Sequence, residues 1–267
     1  MGSIKHNLKA IYTIWLRELL RFIREPARVI GSLGGPLLFL FVLGGGLASS
    51  MPGFGGAPGN FDFRQFMFPG VLAMGVLFTA IFSGISIVWD REFGFLKEVL
   101  VAPVSRTAIA LGKIAGGSTV AMIQGAIILF LGPLIGVDMS IGQIVTLLGL
   151  MLVLAAVMSA LGVMIAARQR STEGFQFIMQ FLVLPMFFLS GALFPLTDLP
   201  LWMTWLARID PVTYGVDAMR NTALSGTVPG QVLQALILHP IALNLLIMFA
   251  FGIIFLIPAV WLFNIQD

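Results

Sequence analysis

Polar side chains at helical spacing within apolar surroundings are where this chain could do chemistry. Thr79, Ser83, Ser86 and Asp90 recur at steps of four, three and four, and Gln176 and Gln180 stand one turn apart, so each set shares a helix face. Such hydroxyls and amides offer hydrogen bonds to a passing solute, or bond back to their own helix or to a neighbour. Bond-breaking chemistry is a poorer fit. Cysteine is absent, and the only histidines, His6 and His239, stand on separate segments. A thiolate or histidine metal site, a Ser/His pair and a Cys/His pair are all excluded within one chain, so no catalytic residue and no metal ligand is assigned. A phosphate-cradling GxxxxGK[ST] is missing as well: its nearest candidate, Gly112-Lys113, has Thr107 in the place of the first glycine and Ile114 in that of the hydroxyl.

The longest polar interruption runs from Trp89 to Lys113 (WDREFGFLKEVLVAPVSRTAIALGK). Asp90 and Glu92 are expected at the start of a short helix, where carboxylates favour the positive end of the helix dipole. Phe93, Leu96, Val99 and Leu100 give it one apolar face, with Lys97 and Glu98 off that face. Pro103 stops it, and Ser105 is the expected N-cap of the following helix. The reading is an amphipathic surface helix clamped between two membrane spans.

Those elements must be held by a membrane scaffold. Of 267 residues 58% are hydrophobic and 10% charged, against about 25% charged in soluble domains, and the mean hydropathy is +1.01. Six runs reach the roughly 20 residues a spanning helix needs: 29–48, 67–88, 108–135, 141–167, 175–194 and 241–263. The expected fold is an all-α integral membrane protein with one permeating domain over residues 1–267. No cleavable signal is read in residues 1–28, where six Lys or Arg are spread along the segment. Leu8, Ile11, Trp15, Leu19 and Phe22 follow steps of three and four opposite Arg17, Arg21 and Arg24, which describes an interfacial helix. It does not span, because each Arg at a bilayer centre costs about 2.5 to 3.5 kcal/mol.

Phe68-Pro69-Gly70 is expected to open the second span, and Gly112 and Gly116 form a GxxxG suited to close helix packing. In the fifth span Pro185 should bend the helix, and the two glutamines must face protein or water. Residues 195–240 are apolar but cut by Pro195, Pro200 and Pro211. Short re-entrant or surface helices fit there, one capped by Asp210 with Pro211 at its first position and an Asp217/Arg220 pair three apart. Twelve Lys or Arg fall in one set of loops and three in the other, which puts both termini and residues 89–107 in the cytoplasm of a plasma or inner membrane protein.

Taken together, DREFGFLKEVLVAPVSRTAIALGK, PMFFLSGALFPL from Pro185 and IDPVTYGVDAMR from Ile209, with the weaker FPGVLAM from Phe68, resemble the permease subunit of a type 2 ABC exporter. This six-span family includes drug-resistance and polysaccharide exporters, and the loop is more similar to the drug-resistance branch. The resemblance implies a coupling helix that docks on a separate ATPase subunit, with that role on Asp90, Arg91, Glu92, Phe93, Leu96, Lys97, Glu98 and Leu100. It also implies a second permease copy, and a path bordered by the second and fifth spans. Thr79, Ser83, Ser86, Gln176 and Gln180 would line one narrow entrance across the dimer axis, closed outward by Phe187, Phe188 and the short helices that follow the fifth span. ATP and Mg would belong to the partner, this chain would hold no cofactor, and nucleic acid is not an expected partner. The cargo expected is a hydrophobic or amphipathic compound, with a polysaccharide or lipid-linked glycan as the alternative. An ion-coupled transporter, a membrane enzyme and a purely structural membrane protein are the competing readings, and the first is disfavoured because all twelve acidic residues fall at or beyond span ends.

Overall fold

A computed structural model describes residues 4–50, 62–93, 104–197 and 199–264. The described residues are helical, with no strand beyond an isolated bridge between Ser225 and Val228. Six helices are long and apolar enough to cross a membrane, which makes the chain an all-α membrane protein.

Helix α1 (Ile4–Arg24) packs lengthwise along the first half of the third span without adding to the spans. Its inward stripe of Ile11, Ile14, Trp15, Glu18 and Phe22 is at least half-buried, whereas Leu8 remains exposed. The first span starts as α2 (Pro26–Leu37), loosens into a π-helical stretch (Leu38–Leu43) and ends as α3 (Gly44–Ser50).

The second span is α4 (Phe63–Phe82) and α5 (Ile85–Glu92), separated by a break at Ser83-Gly84. It starts before the expected Phe68, because Asp62 and Gln65 form a reciprocal capping box that satisfies the first amides of the helix. Pro69 therefore lies inside the helix. At Gly84 the backbone of the fourth span comes close: a Cβ there would sit 2.6 Å from the Gly162 carbonyl oxygen. Absence of a side chain lets the two helices touch main chain to main chain.

Helix α6 (Arg106–Leu129), capped by Ser105 as expected, and α7 (Ile141–Ala166) make the central hairpin. The expected 108–135 span is shorter as an α-helix, since Leu131-Gly132-Pro133 passes into a 3-10 turn (Gly132–Ile135). Pro133 has no amide to continue the ladder. The fifth span, α8 (Thr172–Leu189), continues through Pro185.

Beyond it come α9 (Leu201–Ile209), α10 (Pro211–Leu224) and α11 (Gly230–Leu236), then the last span, α12 (Ile241–Asn264). Asp210 accepts from the Val212 amide at 2.9 Å, the cap expected from the Asp-Pro pair. The two first helices differ in setting. α9 exposes Leu201, Trp202 and Trp205, while α10 is buried almost throughout and packs on α4, α7 and α12. Of the two short helices expected here, α9 lies at the surface and α10 is part of the bundle interior.

Candidate functional site

The GxxxG on α6 turns out to seat α1 rather than another span. A Cβ at Gly112 would lie 2.9 Å from Ile14 Cβ, and one at Gly116 2.8 Å from Glu18 Cβ. This close approach brings Glu18 over Lys113, one residue beyond Gly112.

Lys113 is the centre of a buried charge cluster. Its ammonium donates to Glu18 Oε1 at 2.8 Å, Ser86 Oγ at 2.9 Å and Asp90 Oδ2 at 3.0 Å, so all three N–H groups have a partner. Arg17 adds a second cation on Asp90 Oδ2 at 2.8 Å. Two cations and two carboxylates therefore balance where α1, α5 and α6 meet. Desolvating them is tolerable only because every charge has an opposite within hydrogen-bond reach.

The next two residues extend the junction. Arg91 donates to the Ala167 carbonyl at 3.0 Å and to that of Gln169, satisfying acceptors left over at the C-terminus of α7. Glu92 accepts from the amide of Thr172 at 3.1 Å and from its hydroxyl, at the N-terminus of α8. Each charge suits the dipole it meets, cation at a C-terminus and carboxylate at an N-terminus. Asp90 and Glu92 are consequently not at the start of a helix, as their composition suggested. They occupy the last turn of α5, where the carboxylates are unfavourable to their own dipole and are compensated by other elements. Phe93 is 80% exposed. Leu96, Lys97, Glu98 and Leu100 lie outside the described residues.

Beside this junction a partly open cavity of about 320 Å³ is lined by α1, α2, α4–α5 and α6. Thr79, Ser83 and Ser86 line it, as do Glu18 and Gln124. Two of the three hydroxyls also bond back along their helix, Ser83 Oγ to the Ala80 carbonyl at 2.6 Å and Ser86 Oγ to that of Ser83 at 3.0 Å. Gln124, not singled out from the sequence, is fully buried and donates through Nε2 to Ser32 Oγ at 2.5 Å.

The structure does not bring the glutamines of the fifth span to this cavity. Gln176 and Gln180 are exposed on the outward face of α8, beside Phe177 and Phe181. Within one copy the two polar faces are therefore separate, because α8 turns Phe175, Met179, Val183 and Phe187 inward. Phe187 packs edge-on against Phe39 and is buried, whereas Phe188 is 41% exposed.

At the opposite end Asp217 and Arg220 each bond elsewhere than to one another. Asp217 accepts from the amides of Leu238 and His239 and from Asn244 Nδ2, at 2.8 to 2.9 Å, which anchors α12 to α10. Arg220 donates to the Gly191 carbonyl at 2.6 Å and lies 4.2 Å over the Phe66 ring. Burial lowers its pKa to about 10, so it stays a cation at neutral pH. Gly191 adopts φ +76°, a left-handed conformation that glycine alone takes without strain, and this aims its carbonyl at the guanidinium.

Six helices fit to span a membrane, packed around a balanced charge junction, define a multi-pass membrane protein. Residues 9–224 match the model of the ABC-2 type transporter family, and the chain belongs to that family. Relatives include ycf38 of Pyropia yezoensis, named as a transport permease, 30% identical across 82% of this chain and 74% of its own length. Nodulation protein J of Rhizobium leguminosarum bv. viciae is 26% identical across 85% of both chains. The inner membrane transport permease YadH of Escherichia coli K12 is 27% identical across 79% of this chain and 81% of its own. Membership implies a membrane setting and an ABC ATPase partner.

Proposed function

We propose that this chain is the permease subunit of an ATP-driven exporter, carrying a hydrophobic or amphipathic compound and docking through residues 90–100 on a separate ATPase subunit. ATP and Mg are bound and hydrolysis occurs in that partner, and this chain contributes no catalytic group. Both termini and the docking segment face the cytoplasm. The cargo belongs with the drug-like and lipid-like compounds of the drug-resistance branch.

The observation that carries the reading is the bonding of Asp90, Arg91 and Glu92 to four different elements, α1, α6, α7 and α8. Residues that lead directly into a docking segment and are bonded to so many helices give a push on that segment a route into the spans. Residues Gln176, Phe177, Gln180 and Phe181 supply the outward face for a second permease copy.

Glu98→Arg provides the sharper test, because Glu92→Arg would also break the Thr172 contact inside the permease. Charge reversal at a docking surface can cost several kcal/mol. The expected result is loss of ATPase co-purification with Glu98→Arg at unchanged permease yield. Unchanged co-purification and unchanged transport would overturn the docking reading. Gln180→Leu separates path from interface: dimer loss in proportion to lost activity assigns it to the interface, and an intact dimer with altered transport assigns it to the path.

A further inference from the structure

The geometry points to a binding site inside one subunit, in the cavity between α1, α2, α4–α5 and α6, for a slender, neutral, single-chain amphiphile whose hydroxyl donates to Gln124 Oε1. This goes beyond the export reading, since it requires neither a second copy nor the ATPase.

The argument for a site starts with Gln124. Its side chain is fully buried and lines the cavity, yet Oε1 has no hydrogen-bond partner among the described residues. Its amide nitrogen is already committed to Ser32 Oγ, and that hydroxyl in turn donates to the Val29 carbonyl at 2.8 Å. The unmet valence is therefore an acceptor, and a buried acceptor without a donor is costly. It calls for a ligand that brings an O–H or an N–H.

Shape comes next. The lining runs from Met74 to Ser86 along α4–α5, about 18 Å of helix axis at 1.5 Å per residue. A volume of about 320 Å³ suits one slender chain and is too small for a lipid with several. The volume itself is at the lower edge of small-ligand pockets, about 300 to 1,000 Å³. Phe22, Pro36, Phe78 and Val120 supply apolar wall for such a chain.

Charge decides neutrality. Glu18 is matched by Lys113 at the basic end of the cavity. Arg21 is held by Glu25 at 3.3 Å and lies 4.7 Å over the Trp89 ring. Cations and carboxylates at the lining are thus already paired, and an ionic headgroup would have to break one of these pairs.

The test uses the full-length permease, purified alone in lipid nanodiscs. A diazirine-bearing decanol is photo-crosslinked and the adducts are mapped by mass spectrometry, with 1-decanol or its methyl ether as competitor. Adducts are expected on peptides containing Phe78, Val120 or Ser32, with decanol competing about three- to tenfold better than the ether, the share of one neutral hydrogen bond. That comparison is read on the unaltered chain and does not depend on any variant folding. Gln124→Leu should erase the preference while leaving ether binding intact, and Val120→Phe should abolish both by filling the cavity. A cargo source is indicated if adding the ATPase partner and ATP releases the probe; a resident lipid is indicated if a hydroxylated single-chain lipid co-purifies and ATP has no effect. Adducts confined to other surfaces, or equal competition by alcohol and ether, would overturn the proposal.

Discussion

Replacing Lys113 with methionine keeps the length of the side chain and removes the cation that joins α1, α5 and α6. Three bonds of 2.8, 2.9 and 3.0 Å are lost together. Lys113 is only 5% exposed, and Glu18 and Asp90 are 11% and 15% exposed. Removing one partner of such a buried pair costs about 3 to 5 kcal/mol, because the remaining charge is left uncompensated. Arg17, at 2.8 Å from Asp90, still neutralises that carboxylate, but its own side chain is 42% exposed and its contribution is screened. The expected loss is therefore at the lower end, about 3 kcal/mol.

Unfolding of the purified permease in mixed micelles titrated with dodecyl sulfate measures it. Adding Glu18→Gln to Lys113→Met removes the stranded carboxylate, and the double variant should recover about 1 to 2 kcal/mol of the single variant's loss. A cysteine at Ile14, under α1 and against Gly112, reports the same event locally in this cysteine-free chain. It should react faster with a maleimide in Lys113→Met as α1 lifts. A loss under about 1 kcal/mol with purely additive double-variant energetics would refute the view that Lys113 pins α1 to the bundle.

Gly116→Val should loosen α1 in the same way by overpacking, at about 1 to 3 kcal/mol in the same titration, since the new side chain must displace Glu18. For orientation, a cysteine at exposed Asp138 should react with an impermeant thiol reagent in intact cells and one at exposed Thr13 should not; the reverse pattern would invert the topology. Burial raises the Asp210 pKa well above its ordinary value, partly opposed by the Val212 amide. A folded-state pKa raised above the unfolded one gives a contribution fully present below the ordinary carboxylate pKa and lost as pH rises toward the folded value. Asp210→Asn, which keeps the cap acceptor, should flatten that decline in a stability-versus-pH series.

How much of this was legible in the sequence depends on whether a feature is local. The Asp210-Pro211 start of α10 and the Ser105 cap follow from neighbouring residues and stand where the patterns put them, and the six apolar runs become six candidate spans with shifted ends. The GxxxG was visible as a close-packing signal, but its partner was not, because α1 is distant in sequence. The same distance in sequence hides the setting of Asp90 and Glu92. A local rule moves acidic residues to a helix start, whereas here Lys113 and Thr172, each more than twenty residues away in sequence, stabilise them at a helix end. Gln124 and Asn244 do carry a signal in the sequence: each is an amide within an apolar span, and such groups need partners. Pro69 misled because proline is commonest in a first turn, while the capping box at Asp62 lies outside the apolar window that marks the span.

The junction also explains why its charges are ordered as they are. Arg91 meets the carbonyls at the end of α7 and Glu92 meets the amides at the start of α8, so residues 91 and 92 bridge the two ends of one short connection, 167–171. The connection alone could hinge, since few residues join the helices. Tied at both ends to the same turn of α5, its ends move with that turn. Asp90 does the equivalent for α1 and α6 through Arg17 and Lys113. Three consecutive side chains thus hold five helices at one end, while the outward face of α8, with Gln176, Phe177, Gln180 and Phe181, is exposed among the described residues. Displacing α5 at its last turn would therefore move the helix that bears that face, and the cavity wall formed by Ser83 and Ser86 with it.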